Sequence, residues 1–126
     1  MPSAPPGESF DKTRRLRKRR EFARAQRGQL RAHAPHFVAI GLARDDATPA
    51  RLGIVASRRI GHAVARNRVK RLVREWFRRH AVPAGLDLVV IGRPGAAALG
   101  LVATCAELDA ALRRLLRRCA VLPKPW

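Results

Sequence analysis

Residues 64–80 read Val-Ala-Arg-Asn-Arg-Val-Lys-Arg-Leu-Val-Arg-Glu-Trp-Phe-Arg-Arg-His, and their spacing decides the architecture. At about 100° per residue, Ala65, Val69, Leu72, Val73, Trp76 and Phe77 gather on one side of a helix. Asn67, Lys70, Arg71, Arg74 and Arg78 follow i, i+3, i+4 spacing on the opposite side, and Arg66 and Arg68 flank that stripe in the first turn. Glu75 is the only acid in the stretch. A merely solvated helix face mixes signs, because i, i+4 pairs then support it. This one gathers cations, which repel each other unless an anion neutralises them. Asn67 is the second signal. Asn is a poor helix former, yet among cations it adds a donor and an acceptor suited to a 2′-hydroxyl, a base edge or a metal-bound water. An N-terminal capping role is the alternative for it.

Upstream of this helix, Arg51 to Ser57 is a strand, and Phe37 to Ala43 (Phe-Val-Ala-Ile-Gly-Leu-Ala) is a buried strand. Asp45, Asp46, Thr48 and Pro49 supply turn chemistry between them, so the two strands are expected to form a hairpin. Downstream, Pro83 and Gly85 break the helix, and residues 86–92 (Leu-Asp-Leu-Val-Val-Ile-Gly) are apolar enough for a central strand, which Arg93-Pro94-Gly95 ends. Thr104 and Glu107 have capping-box spacing at the start of a last helix, whose face is Leu108, Ala111, Leu112, Leu115 and Leu116 and which reaches about Cys119. Near the start, a short basic helix is expected over residues 18–27, with Gly28 as its stop. Residues 1–9 and 121–126 read as tails, leaving one domain over residues 10–120. The order helix, strands, helix, strand, helix gives an α/β (α+β) two-layer sandwich with one small central sheet and three helices.

The charge balance narrows the function. The 126 residues carry 27 Lys and Arg against 9 Asp and Glu, a net charge of +18, which calls for a polyanionic partner. Lys12, Lys18, Lys70 and Lys124 are the only lysines; the remaining cations are Arg, whose planar fork suits bidentate phosphate contacts and stacking on bases. Apolar residues at 47% exclude a wholly disordered chain, and with aromatics at 5% the core must be largely aliphatic. Cys105 and Cys119 lack metal-ligand spacing and read as reduced thiols of a cytoplasmic protein. The Pro-rich start has no apolar segment of a secretory signal, and no run approaches the ~20 apolar residues of a membrane span.

Arg66-Asn67-Arg68-Val69-Lys70-Arg71-Leu72-Val73-Arg74-Glu75 resembles the signature helix of the protein component of bacterial ribonuclease P. The flanks resemble it too: Arg51-Leu52-Gly53-Ile54-Val55-Ala56-Ser57-Arg58-Arg59-Ile60-Gly61 before the helix and Asp87-Leu88-Val89-Val90-Ile91 after it. The resemblance implies a mixed sheet with a left-handed βαβ crossover, against the usual hand. It also implies a division of labour: a catalytic RNA with bound Mg²⁺ performs the cleavage, and the protein, one per RNA, holds the 5′ leader of precursor tRNA. By position, Arg66, Asn67, Arg68, Lys70, Arg71, Arg74 and Arg78 fall on the RNA-contacting helix, Arg58 and Arg59 on the basic turn before it, and Phe22 in the leader cleft. Two further cleft aromatics of the family are absent, replaced by Gln26 and Ile40. Since a base stacked on an aromatic gains about 1–3 kcal/mol, the cleft is expected to lean on Arg and aliphatic contacts instead.

Other classes fit less well. His33, His36, His62 and His80 could in principle run acid–base RNA cleavage, but no nucleophile motif, Gly-rich phosphate loop, paired His ligands or acidic cluster accompanies them, so no protein catalytic or metal site is expected. A ribosome-associated binder would share size and charge without acting on tRNA ends. A membrane-active cationic protein would need an exposed apolar face beside the basic one, whereas the apolar faces here are required by the sheet.

Overall fold

The computed structural model describes residues 30–43, 48–80 and 82–121. Its elements are β1 (Leu30–His33), β2 (Phe37–Ala43), β3 (Arg51–Val55), α1 (Ala63–Arg79), β4 (Leu86–Gly92), a short 3-10 turn (Ala96–Ala98) and α2 (Leu101–Val121). The strands form one mixed sheet in the order β1-β2-β4-β3. β4 pairs antiparallel with β2 along seven residues and parallel with β3 along five. Its composition explains that central place: every residue but Ile91 is buried, the near-continuous apolar run of a strand covered on both faces.

β2 and β3 therefore do not form the expected hairpin, because β4 lies between them. β4 gains ladder partners on both edges, which a β2–β3 hairpin would deny it. β3 is also shorter than the sequence suggests, ending at Val55. β1 was not expected at all. Two helices stand among the described residues; the helix expected over residues 18–27, with Gly28, lies outside them, as do residues 1–9, Asp45, Asp46 and the last five residues. α2 begins at Leu101 and runs to Val121, past the expected end at Cys119.

Both helices cover one face of the sheet. Leu30, Ala32, Phe37, Ala39, Leu52, Leu86, Leu88 and Val90 meet Val69, Val73, Trp76 and Phe77 of α1 and Leu108, Ala111, Leu112 and Leu115 of α2 in the main core. Strand alternation turns Ile40 and Val89 to the other face, where they cluster with Val38, Val55 and Ile91. α1 approaches β4 so closely that a Cβ on Gly92 would lie 2.8 Å from Ile60 Cδ1 and 3.1 Å from Val69 Cγ1; only glycine fits there without a shift.

The expected capping box does not form. The Thr104 amide already bonds the Gly100 carbonyl at 3.0 Å, so Thr104 lies inside the helix, fully buried, with a hydroxyl that meets no partner. Glu107 instead reaches the β1–β2 turn, accepting from the His36 amide at 2.9 Å and contacting its Nδ1 at 2.7 Å.

Candidate nucleic-acid interface

α1 presents the two faces its spacing requires. Val69, Val73, Trp76 and Phe77 are buried, with Ala65 and Leu72 half-buried beside them. Asn67, Arg68, Arg71 and Arg74 are exposed, and Arg66, Lys70 and Arg78 are half-buried. The N-cap is His62, which makes no side-chain capping bond, and the first turn holds no acid. Asn67 therefore lies in the second turn and is not the cap, so its amide faces solvent among cations. The uncapped N–H groups and the positive end of the helix dipole add to the same field.

Arg58 and Arg59 are exposed on the turn before α1. Ile60 N–H donates to Ser57 O and Gly61 N–H to Arg58 O, both at 3.1 Å, and the Arg59 amide donates to Ser57 Oγ at 3.3 Å. That turn leads directly into α1, so the two groups of cations adjoin along the chain. Arg68 is oriented from outside the helix: its Nε donates to the Ala97 carbonyl of the 3-10 turn at 2.8 Å. Gly95, with φ +94°, starts that turn. The Nε of Arg66 is buried and has no hydrogen-bond partner among the described residues.

Glu75 changes the status of Arg78. Its carboxylate accepts from Arg78 Nε and Nη2 at 3.1 and 2.5 Å and from Arg79 Nε at 2.8 Å. The Arg78 bonds, then those of Arg79, hold the Glu75 carboxyl below the ordinary glutamate range. The i+3 and i+4 spacing of Glu75 to Arg78 and Arg79 was legible in the sequence. Arg78 is thus neutralised within the helix, while Asn67, Arg68, Arg71 and Arg74 face solvent. A folded-state pKa held low means that the fork's contribution is present above the unfolded glutamate value and is lost as pH falls through the lowered one. Glu75→Gln opens the fork at neutral pH, at a stability cost of about 0.3–0.5 kcal/mol per exposed pair. It is expected to tighten RNA binding and to steepen its salt dependence. A filter-binding titration over a salt series checks this; unchanged affinity and slope would mean that α1 below Arg74 does not meet RNA.

The remaining residues singled out by sequence fall elsewhere. Phe22 and Gln26 lie outside the described residues. Ile40 is buried on the sheet face opposite the helices. His36 is tied to Glu107, and His80 lies 3.4 Å from Asp109 and 2.9 Å from Trp76 O; His33 and His62 are exposed. Burial pushes the Cys105 thiol up, away from a reactive thiolate. Among the described residues no group of three or more His, Cys, Asp or Glu could hold a metal ion, and no helix is long and apolar enough to cross a membrane.

A small mixed sheet backed by a helix whose outer face is cationic defines a basic α/β sandwich protein. Comparison with known proteins is consistent with that and goes further. The Ribonuclease P family model matches residues 10–119. The ribonuclease P protein component of Gluconacetobacter diazotrophicus is 42% identical over 114 residues, covering 88% of this chain and 95% of that one. That of Brevibacillus brevis is 40% identical over 114 residues, covering 88% and 86%. Among solved structures, the RNase P protein from Thermotoga maritima superposes with a TM-score of 0.68 at 34% identity, covering 79% of this chain and 96% of that one. A Staphylococcus aureus RNase P protein gives 0.69 at 30% identity, covering 79% and 93%. The chain belongs to the ribonuclease P protein family.

Proposed function

We propose that this chain works as the protein subunit of a ribonucleoprotein endoribonuclease, binding a catalytic RNA through α1 and the 5′ leader of precursor tRNA through the segment that carries Phe22. The observation that supports this best is the outer face of α1: Asn67, Arg68, Arg71 and Arg74 are exposed, and the helix's one acid is taken up by Arg78 and Arg79. Rigidly spaced cations suit the backbone of a folded RNA, while an apolar platform such as Phe22 suits a flexible single strand. With Arg58, Arg59, Arg66 and Lys70 they form the contact surface, Arg78 joining only where RNA displaces Glu75. Hydrolysis of the leader bond belongs in this reading to the RNA and its Mg²⁺, as the family resemblance implies. The parallel β3–β4 pair joined through α1 is then the left-handed crossover. One domain over residues 10–120 binds one RNA, as a monomer, in the cytoplasm.

The test is reconstitution. Added to a bacterial ribonuclease P RNA, the full chain should support cleavage of precursor tRNA at Mg²⁺ concentrations where the RNA alone is slow, because its cations neutralise phosphates that Mg²⁺ would otherwise screen. Protein alone should cleave nothing. Arg71→Ala and Arg74→Ala should each flatten the log–log salt slope of RNA binding by about 0.7–0.9. In the assembled complex, Phe22→Ala should weaken binding of precursor tRNA and leave mature tRNA unaffected. Specific 5′ processing by nuclease-treated, RNA-free protein would overturn the reading.

A further inference from the structure

We infer that the C-terminal half of α2 is a second phosphate-binding surface, taking the backbone of an RNA at the β1 edge of the sheet, apart from α1. The sequence Arg113-Arg114-Leu115-Leu116-Arg117-Arg118 repeats an arginine doublet at i, i+4. Helical spacing sets Arg113 and Arg117 in one row and Arg114 and Arg118 in the next, while Leu112 and Leu115 hold the inner side in the core.

The second row is fixed in place. Arg114 Nη2 donates to the His33 carbonyl and Arg118 Nη1 to the Arg31 carbonyl. β1 is an edge strand, and the bond from Ala34 N–H to Phe37 O sets the alternation that turns the carbonyls of Arg31 and His33 outward. Two strand residues advance about 6.6 Å and four helical residues about 6 Å, so the arginine row and the carbonyl row stay in step. Each guanidinium gives one nitrogen to the strand edge and keeps its other donors, already oriented. An ordered fork loses less freedom on meeting phosphate than a loose one.

Among the described residues the cations here are also unopposed. The acids of α2 are Glu107 and Asp109. Glu107 is held by His36, and Asp109 accepts from Trp76 Nε1 at 2.8 Å. Among the described residues, none of Arg113, Arg114, Arg117 and Arg118 meets a carboxylate. Compensation of the helix dipole asks for a cation or two in the last turn, not two parallel rows. RNA fits better than a lipid surface, because Leu108, Leu112 and Leu115 are buried and Leu116 is half-buried, whereas an interfacial helix presents a broad exposed apolar face beside its cations. α2 packs over β1 and β2 and α1 over β3, so the two basic surfaces stand toward opposite edges of the sheet.

This inference rests on the RNA-binding role proposed above, and the experiment separates the two. Affinity is measured against salt for the ribonuclease P RNA and for precursor tRNA, using the full chain, the Arg113→Gln/Arg117→Gln double variant, Arg71→Ala, and all three changes combined. The double variant is expected to flatten the slope by about 1.5 on at least one RNA, two contacts at roughly 0.7–0.9 each. It should melt as the unsubstituted protein does, and its effect should add to that of Arg71→Ala, as distant sites do. A flat response to the double variant on both RNAs, with Arg71→Ala still effective, overturns the second surface and leaves α1 standing. No response to Arg71→Ala either would overturn the RNA reading itself. Loss of binding to vesicles of anionic phospholipid, with RNA affinity unchanged, would assign the patch to a membrane and overturn it equally.

Discussion

A Trp76→Ala variant is expected to lose about 3–5 kcal/mol of stability and to melt on the order of 10–20 °C below the unsubstituted protein. Trp76 is 1% exposed, in the main core. Its ring lies 6.4 Å from Phe77, tilted, and 6.1 Å from His80, stacked. Its Nε1 donates to Asp109 at 2.8 Å, tying α1 to α2. Truncation opens a large cavity under both helices and removes that tie. Trp76→Phe keeps most of the packing and loses chiefly the hydrogen bond, worth about 0.5–1.5 kcal/mol, so it should fall between the two. Arg74→Ala removes an exposed side chain and should leave the melting curve where it is. A Trp76→Ala protein that melts normally beside an Arg74→Ala protein that collapses would mean that α1 faces the other way.

That orientation was legible because α1 obeys its period: four of the six apolar positions read from spacing are buried and the other two half-buried. β2 and β4 were legible to the residue, since a run such as Leu-Asp-Leu-Val-Val-Ile-Gly leaves little else to form. What failed was pairing. The order β1-β2-β4-β3 depends on a parallel contact between strands separated by the whole of α1, and no local turn signal encodes it. β1 alternates buried and exposed residues over only four positions, Leu-Arg-Ala-His, too short a pattern to stand out beside a basic segment. The capping box failed because Glu107 has a better partner in His36, 71 positions earlier in the chain. For the site, the stripe itself was readable, but the external orientation of Arg68 by Ala97 was not. Neither was the use of Arg114 and Arg118 on strand carbonyls, although the repeated arginine doublet was in plain sight.

Arg51→Ala should be comparably damaging, from the other face of the sheet. Arg51 and Asp87 are register partners on the parallel β3–β4 pair. Arg51 donates through Nε at 2.9 Å and Nη2 at 2.8 Å to the two oxygens of the Asp87 carboxylate. Asp87 is 1% exposed, one of the two buried polar residues among those described. A bidentate pair of this kind roughly balances desolvation against attraction while both members are present, but removing one takes two charge-assisted hydrogen bonds from a buried carboxylate, at up to about 3–5 kcal/mol. Arg51→Met combined with Asp87→Leu removes both charges and should restore most of the loss, because an apolar replacement of a buried ion pair is often neutral or stabilising. Denaturant unfolding of the single and double variants checks this. An Arg51→Ala protein within about 0.5 kcal/mol of the unsubstituted one, the range of ordinary surface changes, would show that other groups carry the Asp87 charge. The pair lies away from α1, so at temperatures where the variants stay folded the salt slope of RNA binding should not change. A flattened slope in folded Arg51→Ala would instead place Arg51 in contact with RNA.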